Sequence, residues 1–287
     1  MTTVAEQVQY ESSLRFRYAV IAFGAAIALV VSQLLQLSGS QSPVSEETIS
    51  LLNANSRTAL NIAGAAIDTI GLLALAMLLI WLHRSAQARQ PQLRSATRWA
   101  ASGGAVLAGV MALIYTVIFS IRAHQFATTG NQSWPQAYHL FNSAIWYIPQ
   151  LVLELGNLLL AVGVILVALS AMRVGLITRL VGYTGVISGA LFIIGVPVLT
   201  PVIQGYWLAA TAVVLARRWP SGDPPAWESG VAVPWVPMQR PPDQRGTRAQ
   251  RQRRGRVSDQ DVLAAVDKNQ TPPPNPGAGR SKRKRRK

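Results

Sequence analysis

The chain has 287 residues, half of them hydrophobic, with a net charge of +15 and a mean hydropathy of +0.25. A water-soluble protein of this size interleaves polar positions along its helices. Here Ala, Leu, Val, Ile and Gly surround whole stretches on every face, which suits lipid better than water, and the absence of cysteine excludes thiol nucleophiles, disulfides and cysteine-based metal sites.

Residues 1–17 form a polar N-terminal segment. The first apolar stretch, 18–37, is longer than the core of a cleaved signal sequence. Although Ser38-Gly39-Ser40 has the small side chains of a cleavage site, the stretch reads as a retained anchor. Five more apolar stretches follow, at 60–82, 100–121, 148–172, 180–199 and 202–216. A helix needs ~20 apolar residues to cross a hydrocarbon core of ~30 Å, and four of the six stretches meet that comfortably. Residues 180–216 supply only 37 positions for two crossings. Pro197 and Pro201, in GVPVLTPV, break the helix and set a tight turn, which favours a hairpin over one long kinked helix.

Arginine placement orients the spans. Arg15 and Arg17 precede the first, Arg84, Arg89, Arg94 and Arg98 lie between the second and third, Arg173 and Arg179 between the fourth and fifth, and Arg217 and Arg218 after the sixth. The alternate loops hold only Arg57 and Arg122, beside Glu46 and Glu47. The predicted fold is therefore all-α: a polytopic membrane helix bundle with six transmembrane helices over residues 18–218, both termini cytoplasmic.

Asp68 and Glu154 are the acids well inside the predicted spans. A charge in hydrocarbon costs several kcal/mol, by estimates that range widely, so both are expected to face the bundle interior. Asn61 precedes Asp68 by seven residues, and Gln150, Glu154 and Asn157 follow one another at i, i+4 and i+7, so each acid has amide company on its own helix face. At 1.5 Å per residue Asp68 lies ~12 Å and Glu154 ~9 Å from the outer ends of their spans. Similar depth predicts that the two acids meet across a polar pocket open to the outside, where a shared proton or a cation would be held. The plainer reading is that each acid anchors hydrogen bonds between neighbouring helices.

Gly185-Val-Ile-Ser-Gly189, with Gly182 one turn earlier, has the spacing that lets helix backbones approach closely. Gly24-x-x-x-Ala28 and Gly103-Gly104 are looser versions. Intramolecular packing is the simpler use of the motif. The loop 122–147 is rich in aromatic residues (Phe126, Trp134, Tyr138, Phe141, Trp146 and Tyr147), which predicts an interfacial belt with a helix lying on the surface. Its His124 and His139, even joined by Glu46 or Glu47, do not have metal-motif spacing. His83 is expected at the cytoplasmic membrane interface. No nucleophile-elbow, zinc-protease or phosphate-loop pattern occurs, so neither an enzyme nor a cofactor is expected.

Residues 219–287 hold 15 Lys and Arg against 6 Asp and Glu, most of the excess charge. The segment opens Pro- and Trp-rich, with Trp219, Trp227 and Trp235 expected at the inner membrane surface. It then carries Arg251, Arg253, Arg254 and Arg256, a short helix capped by Ser258, and finally Arg280, Lys282, Arg283, Lys284, Arg285, Arg286 and Lys287. With too few apolar residues for a core, it is expected to be a disordered cytoplasmic tail. Its basic clusters suit anionic lipid headgroups, at ~1 kcal/mol per cation near the surface. RNA is a second partner class, weakened by the lack of interleaved aromatic residues in SKRKRRK.

The stretches LNIAGAAIDTIGLLALAMLLIWLHRSAQAR and ALSAMRVGLITRLVGYTGVISGALFIIGVPVLTPVIQGYWLAATAVVLARRWPSGDPPAW resemble an uncharacterised family of actinobacterial multi-pass membrane proteins, itself similar to a broader bacterial membrane family of unknown function. The resemblance covers about residues 60–227. It rests on an acid in span two (Asp68), the AMRVGLITR loop and the RWPSGDPPAW exit from span six. It implies six spans in a bacterial plasma membrane and no particular activity. Two roles follow from the whole sequence: a structural or interaction protein whose tail contacts anionic lipid or RNA, or a small proton- or cation-coupled transporter or sensor built on Asp68 and Glu154.

Overall fold

The computed structural model describes residues 4–37, 47–129, 131–141, 143–196 and 199–233. Among these the secondary structure is entirely helical. Four helices are long and apolar enough to cross a bilayer: α1 (Val4–Leu37), α3 (Thr58–Arg89), α4 (Ser95–Thr128) and α6 (Ala144–Val174). In hydrocarbon a backbone must satisfy its own hydrogen bonds, which is why stretches of this composition resolve into long helices. Two shorter apolar helices, α7 (Arg179–Ile194) and α8 (Leu199–Leu215), of 16 and 17 residues, span ~24 and ~26 Å. The chain reverses between them at Gly195, whose φ of +63° is a left-handed conformation that favours glycine. Gly185 on α7 packs against Trp207 on α8, each about ten residues from the turn, so the pair is a hairpin and not one kinked helix.

These six helices pack in chain order as a closed ring. α1 contacts α3, α3 contacts α4, α4 contacts α6, α6 contacts α7, α7 contacts α8, and α8 returns to α1. The ring brings Arg15, Arg17, Arg84, Arg89, Arg94, Arg98, Arg173, Arg179, Arg217 and Arg218 to one end of the bundle. At the far end α2 (Glu47–Ser56) and α5 (Trp134–Phe141) pack on the last turns of α4, around Leu51, Phe126 and Ala137. Phe126 is fully buried there instead of joining a belt, whereas Trp134, Tyr138 and Tyr147 are exposed.

Small side chains fill the contacts and large ones cover the outside. On α4, Ala101, Ala105 and Ala108 are fully buried while Val106, Val110 and Ile114 are exposed. Lipid tails are as apolar as leucine, so helices associate by close packing of small residues and not by hiding large ones. The tightest seam joins α4 to α6. A Cβ placed on Gly163 would overlap Ala101, on Gly104 the backbone of Leu160, and on Gly156 the backbone of Ala108, an antiparallel register held along two turns of helix. Gly182, Gly185 and Gly189 do the same on α7, against Met172, Ala168 with Trp207, and Ala161 with Ile165. Gly24 and Gly103 face open space.

Two expectations are corrected at the arginine-rich end. The segment predicted as tail from residue 219 is docked on the helices as far as residue 233, and residues 234–287 lie outside the described residues. Trp227, expected at the membrane surface, is 4% exposed. Residues 219–233 have too little apolar area for a core of their own, but they dock on the one the helices build. A short helix, α9 (Ala226–Ser229), sets Trp227 so that its indole donates to the carbonyl of Leu176 at 2.8 Å and stacks on Trp81 at 5.3 Å, with Tyr18 on the other side of Trp81. The backbone N–H of Val233 donates to Val174, beside Gly175 at φ +85°, where any Cβ would strike the Val233 carbonyl. Trp235 itself lies outside the described residues.

Gly163→Ala is expected to lower stability by about 1–3 kcal/mol, because the new methyl has no room against Ala101. Gly103→Ala is expected to gain up to about 1 kcal/mol by stiffening an open helix position. Thermal unfolding of the two variants in detergent distinguishes the seam from the open face.

Candidate functional site

Four of the six ring helices bring polar side chains to one level near the far end, and all six line a cavity of about 380 Å³. Its wall takes Leu29 and Gln33 from α1, Asp68 and Leu72 from α3, Ala108 and Ala112 from α4, and Leu153 and Asn157 from α6. Leu191 and Phe192 come from α7, Gly195 and Val196 from the turn, and Thr200, Pro201 and Gln204 from α8. Helical spacing explains the membership: 29 and 33, 68 and 72, 108 and 112, 153 and 157, and 200 and 204 are i, i+4 pairs that share a face. Toward the arginine-rich end the ring is filled by buried Leu75, Leu79, Leu160, Val164 and Trp207.

Asp68 is the acidic group of the wall. Ser32 on α1 lies 3.0 Å from Asp68 Oδ1 and donates to it or to its own helix carbonyl, Leu29, at 2.9 Å. Among the described residues no arginine or lysine pairs with the Asp68 carboxylate. Next to it Thr69 donates across to the carbonyl of Gly109 at 2.8 Å, fixing α3 against α4. Opposite, Gln204 is 6% exposed, and its Nε2 finds no hydrogen-bond partner. A buried donor left unpaired costs about 1–3 kcal/mol, so the wall holds a group whose hydrogen-bonding capacity the described residues do not meet.

The sequence-predicted set divides. Asp68 and Asn157 share the cavity wall. Asn61 and Gln150 are half-buried and do not line it. Glu154 is exposed and absent from the wall, and its charge bears on Tyr115, one turn beyond the lining Ala112, and not on Asp68. The reason lies in α7. Ala161 and Ile165, seven and eleven residues past Glu154 on the same face of α6, are covered by Gly189, but α7 stops at Ile194, short of the level of Glu154. Gln33, Thr200 and Gln204 were not singled out by sequence. Gln204 had a legible signal, a carboxamide inside the apolar run PVIQGYW.

A second polar cluster lies at the arginine-rich end, where two buried arginines each meet a carboxylate. Arg89 makes a bidentate contact with Glu11, at 3.0 and 2.6 Å, and donates through Nε to the carbonyl of Ala226 at 3.0 Å. Arg15 meets both oxygens of Asp223 at 3.1 and 3.2 Å and donates to the carbonyl of Val214 at 3.0 Å. Both guanidiniums stand over the Trp227 ring, at 4.7 Å for Arg15 and 5.3 Å for Arg89. Nearby on α3, His83 departs from its expected interfacial setting: it is fully buried, and neither ring nitrogen has a partner. His124 Nδ1 lies 3.2 Å from Asn55 Oδ1 and donates to it in the tautomer protonated there, and no group of three or more metal-ligating side chains occurs among the described residues. The tail arginines and lysines, residues 251–256 and 280–287, lie outside the described residues.

Among the described residues the fold is an all-helical bundle of membrane type, with a polar chamber toward one end and two buried ion pairs at the other. No family model, curated protein or solved structure matches the chain.

Two stability measurements separate these clusters. Gln204→Leu is expected to raise stability by about 1–3 kcal/mol, since it removes an unpartnered buried donor. Glu11→Gln is expected to lower it by about 3–5 kcal/mol, because Arg89 is left buried without its counter-charge. Both are read from thermal unfolding of the full chain in detergent.

Proposed function

We propose that the protein crosses the bacterial plasma membrane six times with both termini in the cytoplasm, and that it works by holding a small solute in the chamber at Asp68, as a transporter or sensor and not as an enzyme. The observation that carries this reading is the chamber itself: all six ring helices contribute to it, and it joins an acid without a protein cation to a buried amide without a partner. A purely structural bundle gains nothing from a polar centre whose groups the described residues leave without counter-charge or partner, because both groups add to the cost of folding. The orientation rests on ten arginines at one end of the ring against Arg57 and Arg122 at the other.

The tail fits the same orientation. Arg251, Arg253, Arg254 and Arg256, and the terminal run from Arg280 to Lys287, follow the arginine-rich end in sequence and suit the anionic cytoplasmic leaflet. In this reading they contribute a contact with the membrane surface, with RNA as the other polyanion they would attract.

The natural absence of cysteine provides the test. Asn157→Cys is expected to react with a membrane-impermeant maleimide added to intact cells, and Arg94→Cys only after permeabilisation. The opposite pattern overturns the topology. An Asn157→Cys that stays inert until the protein is denatured overturns the accessible chamber.

A further inference from the structure

We infer that the chamber takes a monovalent organic cation, an amphipathic ammonium that also carries a hydrogen-bond acceptor, and that this ligand and a proton compete for the Asp68 carboxylate. The inference rests on the binding role proposed above and gives it a ligand class and an ion stoichiometry.

Charge selects the cation. Asp68 has no lysine or arginine among its described neighbours, and an ionised carboxylate at this depth without a counter-charge is costly. Two occupied states avoid that cost. In the empty chamber the carboxyl keeps its proton. With ligand present, the ammonium lies against the carboxylate and the proton leaves to water. Each state is neutral overall, so a net charge is never stranded in the bundle. The exchange balances as one proton released for each cation bound, with no bond formed to the protein.

Ser32 is placed to serve both states. Its hydroxyl has one proton but two acceptors in reach, the Leu29 carbonyl at 2.9 Å and Asp68 Oδ1 at 3.0 Å. When Asp68 is protonated, the carboxyl donates to Ser32 Oγ and Ser32 donates to Leu29. When Asp68 is ionised, Ser32 turns its proton to the carboxylate. The helix pair keeps a hydrogen bond at Asp68 in both states.

The remaining wall selects an organic ion over a bare one. A metal cation asks for about six to eight oxygen ligands, and the chamber offers one carboxylate with its amides spread over about 380 Å³. That volume is in the range of small-molecule pockets. Leu29, Leu72, Leu153 and Leu191 supply apolar walls, and Phe192 presents an aromatic ring to a cation. The unpartnered Nε2 of Gln204, in a side chain more than nine-tenths buried, calls for an acceptor on the ligand itself.

Dicyclohexylcarbodiimide, which modifies protonated carboxyls in apolar surroundings, reads the competition directly on the full chain in native membranes. Mass spectrometry is expected to find Asp68 labelled, faster in acidic than in alkaline buffer. Procaine, a tertiary ammonium with an ester carbonyl, is expected to slow the labelling about tenfold when present at ten times its Kd. Ethyl 4-aminobenzoate, which keeps the ring and ester but lacks the ammonium, is expected to leave the rate unchanged. Equal protection by both compounds, no protection by either, or a labelling rate indifferent to pH overturns the cation–proton competition. The Asn157→Cys reaction with maleimide separates the two failures. If that cysteine reacts while procaine does not protect Asp68, the chamber stands and the ligand class falls. If it stays inert until denaturation, the chamber falls as well.

Discussion

Two guanidiniums flank one indole at the arginine-rich end of the ring, and each is neutralised by its own carboxylate. That arrangement joins four elements that are far apart in sequence: the first turns of α1 through Glu11 and Arg15, the end of α3 through Arg89, the α6–α7 loop through Leu176, and the exit from α8 through Asp223 and Trp227. A ring of helices linked only to chain neighbours would be free to splay where its last member meets its first. Here the seam between α8 and α1 is pinned by a contact that neither helix makes alone. Burying two ion pairs is costly in itself. The cost is offset because their hydrogen bonds also satisfy the carbonyls of Val214 and Ala226 and their guanidinium faces cover an aromatic ring.

The two ends of the bundle therefore differ in how their polar groups are provided for. At the arginine-rich end Arg15 and Arg89 meet carboxylates at hydrogen-bond distance, while the ring nitrogens of His83 nearby have no partner among the described residues. At the chamber, an acid is met by one hydroxyl, and an amide nitrogen by no partner among the described residues. Between them lies a plug of Leu75, Leu79, Leu160 and Trp207. Two buried ion pairs thus brace one end, whereas the polar groups of the chamber keep hydrogen-bonding capacity to spare.

Much of this was legible in the sequence, for identifiable reasons. The helices were, because a bilayer admits few other structures for stretches such as LNIAGAAIDTIGLLALAMLLIWL. The chamber was legible in half. Asp68 and Asn157 were marked by polarity in apolar surroundings, and both line it. Glu154 was marked by the same rule, yet its place depended on how far α7 reaches. The expected end at residue 199 would have covered it, and the actual end at Ile194 does not. Gly195 decided that, a single residue whose conformation ends α7 before Pro197 can. The docking of residues 219–233 was hidden for a different reason. Local composition, rich in proline and poor in periodic apolar residues, says nothing of a pocket built by residues as distant in sequence as Tyr18, Trp81 and Leu176.

That separation has a consequence for how the molecule is made. Arg15 and Asp223 are 208 residues apart, and Trp227 lies later still, beyond the last ring helix. During synthesis Glu11, Arg15 and Arg89 enter early, yet the ring cannot be latched until nearly every helix has been inserted. A nascent chain thus carries its own completion signal. Only a chain that has brought α1, α3, α6 and α8 together presents the aromatic slot in which the final segment fits.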